Sequence, residues 1–354
     1  MFIGCRKWHN LIVEIKQLES TTGFVIYDLP EAETYVGPCR LGAKLAPGNA
    51  EMLVRHQTYV FALAEQRKSG ATIGLKVNPD DTRAAVSALS EELAGEFESQ
   101  VLLTSPGLRL NKESLDPVLR YDKRNPIVRE NRDGVTFEDE LLALGAVTSA
   151  SFLANPNEKW SVAIEGFNQT SIAIAREIEN QGGNVTRIST PKGCVTGNFD
   201  SATLADAWLE AGANCVEHLG DVGKAWEIWK SDVDAILVGS KPGAMSGEGA
   251  QGVQGIPVIA TSAAAISSKA LAILRKSNTP VAADFLTGIG PALAWWAPEE
   301  TSQDELRSLT SNIVSELLEE TASHSDGSFM AACYKAEAFI NSWQEKRPFG
   351  RPLG

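Results

Sequence analysis

From residue 160 onward the chain alternates short apolar runs with helix-period segments, and no other feature constrains its fold as tightly. The runs at 161–164, 185–188, 214–217, 235–238, 257–261 and 280–284 are strand-like, and most are separated by segments with apolar residues every three or four positions. Strands joined by helices run parallel, because the chain must cross back before the next strand begins. The pattern predicts a doubly wound sheet.

The first strand-helix-strand unit has the outline of a dinucleotide-binding loop with altered glycines. Ser161 to Ile164 forms the strand, Gly166 the turn, Ile172, Ile174, Ala175 and Ile178 one helix face, and Val185 to Ile188 the next strand. In the pattern G-x-G-x-x-G/A the first glycine makes the turn, the second lets backbone approach a pyrophosphate, and the third lets helix and strand pack closely. Those positions are Gly166, Asn168 and Ser171. Asn168 puts a side chain where diphosphate oxygens would lie, although asparagine tolerates positive φ and so can preserve the loop shape. The acidic residue expected about 20 positions on, for a ribose 2′-hydroxyl, is replaced by Ser189 and Thr190, with Lys192 beyond to attract a 2′-phosphate. Gly166, Asn168, Gln169, Thr170, Ser171, Thr190 and Lys192 are the candidate contacts for NAD or NADP. The alternative is an α/β domain that keeps the turn and has lost the ligand.

A length of 354 residues suits two domains better than one core. The net charge of −13 argues against a nucleic-acid or anionic-membrane surface, which needs a basic face. Small-molecule and protein partners remain. Cys5, Cys39, Cys194, Cys215 and Cys333 are scattered without a CxxC pair, and His9, His56, His218 and His324 add no paired ligand spacing, so no metal is expected. Free cysteines, the lack of an 18-residue apolar run and an N-terminus without a signal-peptide core fit a reduced, cytoplasmic compartment.

Before residue 135 the pattern is also α/β. Strands are expected over 11–17, 23–28, 34–45, 72–77 and 100–103, an amphipathic helix over 50–67, and a second helix after Pro79 with Asp80 or Asp81 as its N-cap. Residues 111–133, charged and carrying Pro117 and Pro126, read as an exposed excursion before a helix over 136–153. The last fifty residues hold two more helices, 304–318 and 329–343. The expected division is 1–135, 136–300 and 301–354, the final helices packing back on the first domain. Trp295 and Trp296 read as core or interface aromatics.

Five segments in order resemble the glutamate/leucine/phenylalanine/valine dehydrogenase family. Gly37 to Pro47 (GPCRLGAKLAP) is similar to that family's G-P-x-K-G-G-x-R-x-x-P, and Ser69 to Pro79 (SGATIGLKVNP) to its G-G-A-K-G-G-x-x-x-D-P. Residues 164–171 stand at its glycine loop, and 257–260 and 281–286 at the ends of its later strands. The resemblance implies an N-terminal α/β amino-acid-dehydrogenase-like domain followed by a C-terminal doubly wound Rossmann-like domain, an amino acid or other small carboxylate as ligand, NAD or NADP as cofactor, and a homo-oligomer. A paralogous subunit is a further partner.

Carried over position by position, the family's carboxylate-binding lysine becomes Arg40, a second substrate-site lysine Val60, the catalytic lysine Thr72, the proton-relaying aspartate Gly107, and two asparagines Gly288 and Ala264. Arginine still binds a carboxylate, whereas threonine and glycine cannot move protons near neutral pH. Arg40 and Thr72 are therefore the substrate-binding candidates. Lys76, four residues past Thr72 on the same expected strand, Lys44, four past Arg40, and Asp284, ending a parallel strand, are the candidate acid/base groups; solvated lysines and a structural cap are the alternatives. The glycine-rich span 239–255 reads as a lid or an unconstrained loop. Three functions stay open: a divergent NAD(P)-dependent oxidoreductase, a non-catalytic binding or regulatory subunit, and an enzyme repurposed to nucleotide-free chemistry.

Overall fold

The computed structural model describes residues 13–156, 159–345 and 350–353. Cys5, His9 and the first two residues of the strand expected over 11–17 lie outside them. The chain divides into two compact units: one runs to Arg124 and is rejoined by Ala336–Pro352, the other takes Asn125–Lys335 and Leu353.

The first unit contains β1 (Glu14–Gln17), β2 (Gly23–Tyr27), β3 (Tyr35–Leu41), β4 (Ser69–Leu75) and β5 (Leu102–Pro106), with helices α1 (Glu51–Leu63), α2 (Thr82–Glu92), α3 (Ala94–Glu98) and α4 (Lys112–Leu119). The sheet order is β1-β2-β4-β3-β5, with β3 parallel to β4 and β5, and β2 antiparallel to β1 and β4. Both β2 and β4 are buried at every position, because each face is covered. On one face Phe24 and Ile26 meet Val54 of α1; on the other Val25, Ile73 and Leu75 join Val86 and Leu89 of α2.

Beneath α1 lies a buried ion pair. The Asp28 carboxylate accepts from Arg55 Nη2 at 2.6 Å, from Arg55 Nε at 2.7 Å and from the Thr58 hydroxyl at 2.5 Å. Burial alone lowers the Arg55 pKa, but the adjacent carboxylate outweighs it and keeps the guanidinium charged. Arg55 Nη1 also donates to the Gly350 carbonyl, and Glu337 of the returning segment takes Arg351 and the Tyr59 hydroxyl.

Two expectations for this region need correction. Asp81 stands at the N-cap position of α2 as expected, but its side chain makes no capping hydrogen bond; with Pro79 and Asp80 it forms a short 3-10 turn whose Pro79 carbonyl accepts from the Thr82 hydroxyl. The excursion over 111–133 is partly helical, since Asn111 and Ser114 form a capping box that starts α4, and Asp122 pairs with a buried Arg124.

The second unit contains β6 (Asn131–Arg132), β7 (Val135–Thr136), α5 (Phe137–Ala154), β8 (Trp160–Glu165), α6 (Gln169–Asn180), β9 (Gly183–Thr190), β10 (Gly193–Phe199), α7 (Ser201–Ala211), α8 (Val216–Leu219), β11 (Ala235–Val238), α9 (Gly247–Gly252), β12 (Val258–Ala260), α10 (Ser268–Lys276), β13 (Val281–Ala282), α11 (Asp284–Thr287), α12 (Ile289–Trp295) and α13 (Gln303–Thr321); α14 (Ser328–Asn341) begins in this unit and ends in the first. Its main sheet has the order β10-β9-β8-β11-β12-β13. Counted along the chain this is 3-2-1-4-5-6, the order of dinucleotide-binding domains. Right-handed crossovers that leave β8 in opposite directions put their helices on opposite faces, the doubly wound arrangement.

The strand expected at 214–217 is helical: a 3-10 turn over Gly212–Cys215 leads into α8 and buries Cys215 and Val216. A short apolar run fits either structure, and packing decides. The sixth strand is β10, antiparallel to β9. Only Pro191 and Lys192 separate the two strands, a link too short for a crossover. The glycine-rich span is neither lid nor loose loop in its second half, where Ser246 caps α9 and Gly249 packs on Trp229.

Candidate functional site

In the first unit, Arg40 and Thr72 share the sheet face that α1 covers. Arg40 lies in register with Gly74, two residues beyond Thr72, and a side chain at Gly74 would meet the Phe24 ring on that face. Thr72 is buried and its hydroxyl donates to the Pro38 carbonyl at 2.9 Å, so it is committed to backbone. Arg40 is half-buried, and among the described residues no acceptor takes its guanidinium; burial lowers its pKa. Gly107 stands against it: a Cβ there would lie 2.6 Å from the Cys39 carbonyl oxygen, 2.9 Å from Pro38 Cβ and 3.0 Å from Arg40 Cγ. The β3 backbone and Pro38, with the stem of Arg40 beside them, thus take the room that a side chain at 107 would need. Val60 is buried in α1. Lys44 and Lys76 are exposed and lie beyond the ends of β3 and β4, so the expected continuation of β4 through Lys76 does not hold.

In the second unit the strand order reverses between β8 and β11, where open α/β sheets place their ligands at the carboxyl ends of the strands. Gly166 makes the turn at φ +80°, and a Cβ there would lie 2.4 Å from Ser240 Cα. That close approach is held by Glu165, the last residue of β8. Its carboxylate accepts from Gly239 N at 3.2 Å, Ser240 N at 3.1 Å and the Ser240 hydroxyl at 2.6 Å. A carboxylate of the chain itself closes the reversal point.

The start of α6 is likewise occupied. Asn168 is extended, at φ −150°, so its tolerance of positive φ is not used; it serves as N-cap. Its side chain accepts from Ser171 N at 3.2 Å, and the Ser171 hydroxyl accepts from Asn168 N at 3.1 Å. Gln169 donates to the Gly134 carbonyl, and the Thr170 hydroxyl donates to Asp139 at 2.7 Å. Asp139 belongs to the capping box of α5, so it ties the starts of two helices together. Thr190 donates to the Ala213 carbonyl at 2.7 Å, while Lys192 is exposed.

A bound diphosphate needs open amides and positive potential at this turn. Here α6 is capped by its own side chain and bordered by Glu165 and Asp139. Two carboxylates beside the turn oppose the diphosphate of NAD or NADP, and the Ser171 amide is already taken. The partners of Glu165 and Asp139 are distant along the chain, so the one local sign in the sequence is Glu165 itself, the acidic residue directly before Gly166.

Asp284 does not end its strand: β13 stops at Ala282, Ala283 is the N-cap, and Asp284 is buried at the first position of α11; Trp295 packs edge-on against Trp296. Among the described residues no three His, Cys, Asp or Glu side chains gather where a metal could bind, and no helix is long and apolar enough to cross a membrane.

The sequence matches no known family profile and no curated protein. Solved structures do match over nearly the whole chain. The hetero-hexameric glutamate dehydrogenase from Thermus thermophilus in its Leu-bound form is 18% identical, with a TM-score of 0.77 over 96% of this chain and 90% of that one. A second glutamate dehydrogenase is 16% identical, with a TM-score of 0.73 over 94% and 85%. The enzyme from Peptoniphilus asaccharolyticus is 14% identical, with a TM-score of 0.65 over 94% and 90%. The chain therefore has the two-domain fold of glutamate dehydrogenases, including the Rossmann-like domain, as its sequence resemblance implied.

Proposed function

We propose that this protein is a nucleotide-independent member of the amino-acid dehydrogenase fold that binds a small carboxylate or amino acid through Arg40, acting as a binding or regulatory subunit in a cytoplasmic oligomer. The observation that carries this reading is the turn at Gly166, where the Glu165 and Asp139 carboxylates border the start of α6 and the Asn168 side chain takes the Ser171 amide. The first unit agrees. Arg40 keeps a charge suited to a carboxylate, whereas Thr72 is tied to backbone and Gly107 has no side chain to relay protons. One structural neighbour is described as hetero-hexameric, which supports a chain of this fold serving beside a different subunit.

A second reading, an NAD(P)-dependent oxidoreductase acting on an amino acid, is favoured by the retained strand order and the Gly166 turn. Titration with NADH and NADPH, followed by nucleotide fluorescence and quenching of the eight tryptophans, separates the two. No saturation at millimolar nucleotide is expected. Saturation below about 100 μM, equivalent to about −5.5 kcal/mol, would restore the oxidoreductase reading. In parallel, Arg40→Met should weaken carboxylate binding by about 2–4 kcal/mol, the usual loss when one partner of a charge-assisted pair is removed. Unchanged affinity would take Arg40 out of the site.

A further inference from the structure

A second guanidinium, that of Arg109, stands beside Arg40 in the first unit. Arg109 lies in the tight turn that follows β5, where Leu110 N donates to the Gly107 carbonyl at 3.1 Å and Leu41 N pins the turn to β3 through the Leu108 carbonyl at 2.9 Å. It is the third residue of that turn and has φ +61°, a conformation that favours glycine or asparagine. An exposed arginine here keeps a strained backbone without adding to the core, which points to a use for its side chain.

That side chain returns over the sheet. Arg109 Nη1 lies 3.9 Å from the point that a Cβ on Gly42 would occupy, and Leu45 Cγ lies 3.6 Å from the same point. Gly42 continues the β3 ladder, its amide donating to the Leu75 carbonyl at 3.0 Å, so it looks the same way as Arg40, two residues before it and roughly 7 Å along the strand. Both guanidiniums thus stand on one sheet face, and among the described residues neither has an acceptor. Because β3, β4 and β5 are parallel, this turn and the exposed Lys44 and Lys76 lie at the same end of the sheet. A chain of net charge −13 thus gathers cations at one place. A lone carboxylate has one charge and two oxygens, which a single guanidinium satisfies. A phosphate monoester has about two charges at neutral pH and three terminal oxygens, enough for both.

We propose that Arg40 and Arg109 together bind a phosphoryl group, so that the ligand at Arg40 is a small acid carrying a phosphate monoester. The proposal rests on the reading that Arg40 faces a bound anion, and adds Arg109 as the second donor. Calorimetric titration compares 2-phosphoglycolate with glycolate and with succinate, which holds its two charges on separate carboxylates. The phosphate ester should bind at least about tenfold more tightly than either, the scale of one further charge-assisted contact. Arg109→Gly relieves the turn, so the melting temperature should not fall, while affinity for 2-phosphoglycolate should drop at least about tenfold and approach that for glycolate. Arg40→Met should weaken both ligands. Loss of both in Arg40→Met with no change in Arg109→Gly would strike this proposal and leave Arg40 in its carboxylate site; a phosphate ester indifferent to Arg40→Met would strike both readings. No binding of 2-phosphoglycolate up to about 10 mM, or equal binding of succinate, would also overturn the proposal.

Discussion

Returning an aspartate to position 107 asks whether the proton-relay residue of the resembled family could be reinstated in this scaffold. A β-carbon at Gly107 would lie 2.6 Å from the Cys39 carbonyl oxygen, 2.9 Å from Pro38 Cβ and 3.0 Å from Arg40 Cγ. The first two belong to β3, whose ladder with β4 and β5 on either side prevents retreat; only the arginine stem can swing away. Gly107→Ala should therefore cost about 1–3 kcal/mol, the usual penalty for overpacking. Gly107→Asp should cost about as much, since a half-exposed pair with Arg40 returns at most about 1 kcal/mol. Thermal unfolding would register about 2–4 °C per kcal/mol. Adding Arg40→Ala to Gly107→Ala should recover only part of the loss, because the Cys39 carbonyl stays in place. A neutral Gly107→Ala, or full recovery in the double variant, would refute the claim that β3 backbone closes this position. Dehydrogenase activity should not return with the aspartate, because Thr72 still lacks a titratable group.

Two further expectations rest on burial. Asp28→Ala strands the 3% exposed Arg55 guanidinium without its pair and should cost about 3–5 kcal/mol in urea denaturation, whereas a loss under about 1 kcal/mol would mean water reaches the site. Burial pushes the Cys39 thiol up to about 12 and the Cys194 thiol up to about 11. Their thiolates are therefore scarce at neutral pH and out of reach of solvent, and alkylation mapped by mass spectrometry should be slow at pH 8 and speed up sharply once urea opens the fold. Rapid labelling of Cys39 at pH 8 would contradict that burial.

The sequence by itself determined the α/β class, both main sheets in outline and the Gly166 turn, because apolar periodicity and glycine geometry act over a few residues. It also pointed to Arg40, Thr72 and Gly107 together, through short segments that resemble the dehydrogenase family, and the structure puts Arg40 beside Gly107 and on the same sheet face as Thr72. It misassigned 214–217, where a short apolar run fits a helix as well as a strand until the core selects one, and it missed β10, whose edge position shows only once β9 supplies a partner. Tertiary structure alone decided the state of the candidate site. Glu165 reaches Ser240 across the reversal of the sheet, Thr170 reaches Asp139 across two helix starts, and the β3 backbone at Cys39 closes the space beside Gly107. Each contact joins residues far apart in the chain, where hydrogen bonding and steric exclusion act through space and leave no local pattern to read.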